Sequence, residues 1–265
     1  MTPMPTFKIT LAYDGTSYVG WQRQASGTSV QGLIEDALRE LDGRDVVLHG
    51  AGRTDAGVHA LGQVASCTLD RAIEPGVLAR ALNARLPPDV RAVSAEEVAP
   101  DFHARFRATA KTYRYRIYNA DVITPFERHY AWHVFGPLDV EAMDTAARVL
   151  EGRHDFAAFQ TNSGTTRTTE RRVARSRVTR TNLEHTGVAV SVPGGGGHLI
   201  VYEITGDGFL RHMVRAMAGT LVEIGRGRWP IEQMREVLDS RDRGRAGPTA
   251  PACGLFLVGV EYGDL

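Results

Sequence analysis

The rhythm of apolar and polar positions changes along this chain, and each change predicts an element. Phe7, Ile9, Leu11 and Tyr13 alternate with Lys8, Thr10 and Ala12, the period of a half-buried strand, and Asp14-Gly15-Thr16 ends it. Val30, Leu33, Ile34, Ala37, Leu38 and Leu41 follow helical spacing, with Ser29 as N-cap and Gly43 past the end. Val46 to His49 predicts a short strand leading into a glycine-rich loop, and Gln63 to Leu69 another. Pro75 to Leu86 reads as a helix stopped by Pro87-Pro88, and Val90 to Val98 as a strand. Asp101 to Thr109 reads as a linker or extended crossing. Lys111 to Tyr118 alternates strictly, with Tyr113, Tyr115 and Ile117 on one face. Strands are expected at Tyr130 to Phe135, Arg171 to Thr181, Leu199 to Thr205 and Leu255 to Val260. Helices are expected at Val140 to Leu150, Leu210 to Ile224 and Ile231 to Leu238.

Strands and helices do not alternate one for one, and several strands are joined by short connections. That favours an α+β fold with antiparallel sheets over a doubly wound parallel sheet. A boundary near Ala108 to Lys111 would divide the chain into residues 1–108 and 109–265. Gly194-Gly195-Gly196-Gly197 lies between two strand-like runs and reads as a loop.

Composition narrows the function classes. The 265 residues are 43% hydrophobic and 23% charged, ordinary for a globular protein. The two cysteines, Cys67 and Cys253, form no CxxC and have no partnering histidines, so a zinc site or disulfide framework is not expected and a reducing cytoplasm fits. Met1 to Thr10 lacks the pattern of a signal peptide, and no apolar run approaches a membrane span. The 31 basic residues balance 31 acidic ones, which argues against a protein basic all over but not against a basic groove with an acidic back. Only Lys8 and Lys111 are lysine. Arginine suits bidentate phosphate contacts, and codon bias would produce the same excess.

Four segments could carry chemistry. Gly52-Arg53-Thr54-Asp55-Ala56-Gly57-Val58-His59-Ala60 sets one carboxylate among glycines, two residues after an arginine. A nearby cation favours the charged carboxylate, which can act as nucleophile or base. Asp-Ala-Gly is also a common turn, so local chemistry alone leaves both readings open. Tyr113 opens a strand whose alternates are Arg114 and Arg116, with His103, Arg105 and Arg107 upstream. Aromatic residues interleaved with arginines suit base stacking and phosphate contact; a core tyrosine face is the plainer reading. Arg167 to Arg180 holds six arginines, of which Arg171, Arg175 and Arg177 should share one side of a strand, as a phosphate stripe or a charged sheet edge. Arg211 and Arg215 lie one turn apart on the flank of a predicted helix. Walker A and zinc-helix motifs are absent, and serine, cysteine and metal chemistry find no support in the motifs.

Taken in order, these segments resemble the tRNA pseudouridine synthase A family over nearly the whole chain. The similarity runs through Tyr13-Asp14-Gly15 and Gly20-Trp21-Gln22, the nine-residue Asp55 loop, Asp101 to Phe106, Lys111 to Tyr115, His154-Asp155-Phe156, Gly208 to Arg215 and Gly254-Leu255. It implies isomerisation of uridine to pseudouridine in the anticodon stem-loop of tRNA, at positions 38, 39 and 40 in tRNA numbering, with no cofactor and no metal. It implies a cytoplasmic homodimer of two-domain subunits, each with mainly antiparallel sheets joined across a central cleft, and one tRNA bridging both subunits. Asp55 would attack C1′ or C6, or remove a ribose proton. Tyr113 would stack on the target base or assist a proton transfer, and Arg215 would pair with Asp55. Arg53 would bind phosphate or fill the space left by the extruded nucleotide, and Leu255 would form an apolar pocket wall. The stretch Glu184 to Leu199 is longer than the family's usual connection. Two other classes share some features: a tRNA-binding protein without catalysis, and a metal-independent nucleoside hydrolase that uses Asp55 and releases free uracil.

Overall fold

The computed structural model describes residues 4–161, 168–182 and 197–263. In chain order the elements are β1 (Thr6–Tyr13), α1 (Val30–Asp42), β2 (His49–Gly50), β3 (His59–Thr68), α2 (Pro75–Asn83), β4 (Val90–Val98), β5 (Ala108–Asn119), β6 (Trp132–Val134), α3 (Val140–Arg148), β7 (Gly152–Asp155), β8 (Glu170–Asn182), β9 (His198–Gly206), α4 (Met213–Gly225), α5 (Gln233–Ser240) and β10 (Leu255–Tyr262). The class is α+β with mainly antiparallel pairing, as the strand spacing suggests. The chain divides into two compact units, Met1–Lys111 with Phe256–Leu265, and Thr112–Leu255.

In the first unit the strand order is β4-β1-β3-β10, with β2 also on β3. The β1 pairs are antiparallel, and β10 joins β3 in parallel through Phe256–His59 and Leu257–Ala60. Phe7, Ile9 and Leu11 are fully buried, as their alternation requires. α1 begins where the Ser29 hydroxyl accepts from Gly32 N at 3.2 Å and ends on Gly43 at φ 77°, both read from sequence. Val46 to Leu48 does not form the expected strand: Val46 and Leu48 are buried and Val47 is exposed, so the alternation is real but hydrogen-bonded pairing starts only at His49. Asp101 to Arg107 is a turn anchored in the core rather than a linker, with Phe102 and Ala104 buried beside Ala51 and Val64.

In the second unit β9 lies between β5 and β8, β7 edges β8, and β6 pairs β5 in parallel. Tyr113, Tyr115 and Ile117 are buried on β5, as expected. Beyond β7 the β8 edge is covered by α3 and the segment after it: Asp144 of α3 accepts from Val178 N, and Glu151, just past the helix, from Ser176 N, both at 2.8 Å. Carboxylates thus satisfy backbone donors that an exposed edge would present to another chain. A bulge at Ala174 shifts the β8 register between Val173 and Arg175. Val173, Ser176 and Val178 therefore share the buried side, and Arg175 and Arg177 alternate away from it together with Arg172 rather than Arg171. α4 starts at Met213, three residues later than the apolar spacing predicts, because His212 takes a left-handed conformation (φ 61°). Arg211 consequently lies outside the helix, exposed, and Arg215 sits in its first turn. The Gly194 to Gly196 tract, Arg167 and most of the long connection from Glu184 lie outside the described residues.

Candidate active site

The Asp55 loop is held by backbone contacts from its neighbours in the first unit. Trp21 N donates to Thr54 O at 3.0 Å, and Gly20 forms an isolated bridge with Asp55. The Gly20 carbonyl accepts from Val30 N at 3.2 Å, which ties the same segment to the start of α1. Within the loop, Val58 N donates to Asp55 O at 3.1 Å and Gly57 turns at φ 76°. Gly15 lies so near that a Cβ there would fall 2.0 Å from Val58 O. Asp55 itself is half-buried, Thr54 is buried and Arg53 is exposed.

Side chains to which the sequence assigned no role brace this loop. The Tyr13 hydroxyl and Thr54 Oγ1 share a hydrogen bond of 2.8 Å, and Gln63 Nε2 donates to Gly52 O at 2.9 Å. Burial pushes the Tyr13 phenol up to about 12, an effect that the Thr54 and Gln63 hydrogen bonds only partly offset. Tyr13 is therefore a neutral hydroxyl at any working pH. His59, 1% exposed, stacks on Phe256 at 4.6 Å. Its Nδ1 accepts from Gly15 N at 3.0 Å and lies 3.1 Å from Asp14 Oδ1. The alternation of β1 marks Tyr13 as core; nothing in its spacing reveals a partner 41 residues away.

In the second unit Tyr113 is 7% exposed and meets Phe209 edge-on at 5.0 Å. Its neighbour Thr112 shares a 2.8 Å hydrogen bond with Thr205, and Arg114 reaches Glu203 at 2.9 Å, so β5 is fixed against β9 on both sides of Tyr113. Leu255, 6% exposed, follows a 3₁₀ turn at Ala252–Gly254. That turn contains Cys253. Its position is set by Tyr115, whose hydroxyl donates to Pro251 O at 2.7 Å, and by Gly254, where a Cβ would strike the Tyr115 ring at 2.7 Å. Arg215 is half-buried, and its Nε donates to Ala250 O at 2.7 Å while Ala250 N returns a bond to Arg215 O at 3.1 Å. α4, the Ala250 segment and the turn before Leu255 are thus one braced piece. On β8 Arg175 is exposed, whereas Arg177 is engaged by Glu151.

The first unit, taken by itself, offers a half-buried carboxylate on a loop held by backbone hydrogen bonds. The second, taken by itself, offers a buried tyrosine beside an aromatic neighbour and an arginine whose Nε is held by Ala250. Among the described residues no cluster of three or more histidine, cysteine, aspartate or glutamate side chains is placed to hold a metal ion. No helix among them is long and apolar enough to cross a membrane.

Comparison with known proteins adds independent observations. A family profile described as tRNA pseudouridine synthase matches residues 9–107 and 146–263. A tRNA pseudouridine synthase A of Moorella thermoacetica is 48% identical over 261 residues, covering 98% of this chain and 100% of the relative. One of Pelobacter propionicus is 46% identical over 259 residues, with the same coverage, and one of Myxococcus xanthus is 46% identical over 261 residues, covering 98% of this chain and 93% of the relative.

Proposed function

Because the chain belongs to the tRNA pseudouridine synthase family, we propose that it isomerises uridine to pseudouridine in the anticodon stem-loop of tRNA, at positions 38, 39 and 40, with Asp55 as the catalytic carboxylate. The observation that carries the reading is the near-full-length similarity to tRNA pseudouridine synthases A, which spans the Asp55 loop. The reaction breaks the C–N glycosidic bond, turns the freed base and forms a C–C bond to C5. It adds no atom and changes no oxidation state, so it requires no redox cofactor. Asp55 supplies the one step the base cannot supply itself, as a nucleophile at C1′ or C6 or as the base that removes a ribose proton.

The target nucleotide must leave the helical stack to reach a carboxylate on a loop, at a cost of a few kcal/mol. Tyr113 meets the extruded base or assists its proton transfer, and Leu255 forms an apolar wall. Arg215 pairs with Asp55. Arg53, exposed on the loop, binds phosphate or fills the vacated space. The two-domain organisation across a central cleft, the homodimer bridged by one tRNA, and the cytoplasmic setting belong to the same proposal. So does the boundary near residue 108, with the catalytic loop before it and the completing surface after it.

Incubation with tRNA transcripts carrying tritium at uridine C5 tests the reaction. Release of tritium is expected, since C5 becomes the new bonding carbon. Free uracil instead would indicate a hydrolase, and no release from any tRNA would overturn the reading. Asp55→Asn is expected to abolish release while tRNA binding persists; near-normal turnover would remove Asp55 from its role.

A further inference from the structure

The turn from Asp101 to Arg107 holds chemistry that the reaction does not use. It folds around His103: Phe106 N and Arg107 N donate to His103 O at 3.1 and 3.0 Å, and Arg105 N donates to His103 Nδ1 at 3.2 Å. Because Nδ1 accepts that bond, the neutral ring carries its proton on Nε2. Two alternate residues anchor the turn. Ala104 N donates to Ser66 Oγ at 3.0 Å, Ala104 O accepts from the Tyr262 hydroxyl at 2.8 Å, and the Phe102 ring packs on Tyr262 at 5.1 Å.

The remaining side chains of the turn build outward from this anchor. His49 stacks on His103 at 4.5 Å with 27° between planes, and His103 meets Phe106 at 4.3 Å with 37°. The Arg105 guanidinium carbon lies 5.7 Å from the Phe106 ring centroid, within cation–π range. At the end of this three-ring ladder Phe106 remains 76% exposed. A phenyl ring left in water contributes little to folding, and the two stacked rings behind it and the guanidinium beside it set Phe106 apart from an apolar residue exposed singly. An aromatic surface beside a guanidinium matches a nucleobase with its adjoining phosphate, since every base has a π-face and every linkage a negative charge.

We propose that Phe106, backed by His103 and His49, is a stacking platform for an unpaired nucleobase of the RNA substrate, with Arg105 contacting the phosphate next to that base. The proposal rests on the reading of tRNA as substrate. It adds a contact outside the reacting nucleotide, one that holds RNA without selecting its sequence.

The test uses the full-length enzyme. Phe106→Ala is expected to raise KM for tRNA roughly tenfold, the low-to-middle part of the range for losing one base–aromatic stack, with the loss appearing in KM rather than kcat. Phe106→Leu, which keeps apolar bulk without a π-face, should resemble Phe106→Ala, and Phe106→Tyr should restore binding. In Phe106→Trp the new indole should be quenched when tRNA is added. Far-UV circular dichroism should match the wild type, because the ring is exposed. Unchanged KM in Phe106→Ala, or full rescue by Phe106→Leu, would overturn the platform. A drop in oligomeric mass in Phe106→Ala would overturn it in favour of a protein contact. If the wild type released no tritium, the isomerase reading would fail by itself. Indole quenching by tRNA would still support the platform, and its absence would sink it.

Discussion

Substituting Gly20 by alanine probes how Asp55 is placed without touching Asp55. Gly20 sits at φ 109°, a conformation that L-residues rarely adopt. A Cβ there would fall 2.6 Å from Thr54 O and 3.1 Å from both Ala56 N and the Asp55 carbonyl carbon. Two costs follow. The backbone strain is worth about 1–3 kcal/mol, and forcing a methyl group against fixed backbone about 1–3 kcal/mol more. The expected destabilisation is therefore about 4 kcal/mol, a large share of a typical domain's stability but survivable at low temperature. The atoms struck are those of the Asp55 loop itself, so relief must move that loop by several tenths of an ångström. A misplacement of about 1 Å at a reacting group lowers turnover about 100-fold. Gly43→Ala is the control. Gly43 also has positive φ, at 77°, but a Cβ there meets nothing within 4 Å. It should cost about 1–2 kcal/mol and leave turnover intact. Urea denaturation measures the first quantity and tritium release at saturating tRNA the second. Should Gly20→Ala match Gly43→Ala in both, the claim that backbone packing positions Asp55 would be wrong.

Three further outcomes follow from the structure. Tyr13→Phe removes the partner of the buried Thr54 hydroxyl and should lower stability by about 1 kcal/mol in urea titration, with a smaller loss if Thr54 finds another partner. Arg175→Ala should weaken tRNA affinity and reduce the slope of log affinity against log salt by about 1, whereas an unchanged slope would turn the outer side of β8 away from RNA. Burial, and then the Asp42 charge, push the Cys67 thiol up to about 12, so its unfolded form ionises first. Stability from this group is complete below pH 9 and is lost as pH rises toward 12, at up to about 1.4 kcal/mol per pH unit, and Cys67→Ala should flatten that decline in denaturation curves recorded between pH 9 and 10.5.

Element types were legible where one physical signal acted alone. The apolar alternation of β1 and β5 marks their buried faces because antiparallel sheets of this class hide one side better than the other. Ser29 and Gly43 bracket α1 because capping is a local matter of one hydroxyl and one left-handed residue. The misreadings come from non-local partners. Val46 and Leu48 alternate and are buried, yet nothing in their spacing says whether a neighbouring strand is hydrogen-bonded to them. The β8 bulge adds one residue whose effect is invisible in composition but moves Arg171 to the other side from Arg175. The return of β10 to β3 in parallel is a topological choice between distant segments, and no local pattern encodes it.

The candidate site divides along the same line. Which residue carries the carboxylate is written in the string around Asp55, because glycines and an arginine at fixed spacing are a sequence property. How that carboxylate is held is not, because the holding groups are mostly backbone atoms. Trp21 N on Thr54 O, the Gly20 bridge to Asp55 and Val58 N on Asp55 O would exist with many side chains at those positions. Their signature in sequence is negative: glycine at 15 and 20, where any side chain would collide with the loop's own carbonyls. A glycine read as a mere turn former therefore understates its role here. The missing Cβ at Gly20 is the space into which the Asp55 loop fits, which makes the loop's geometry a property of the packed first unit rather than of its nine residues alone.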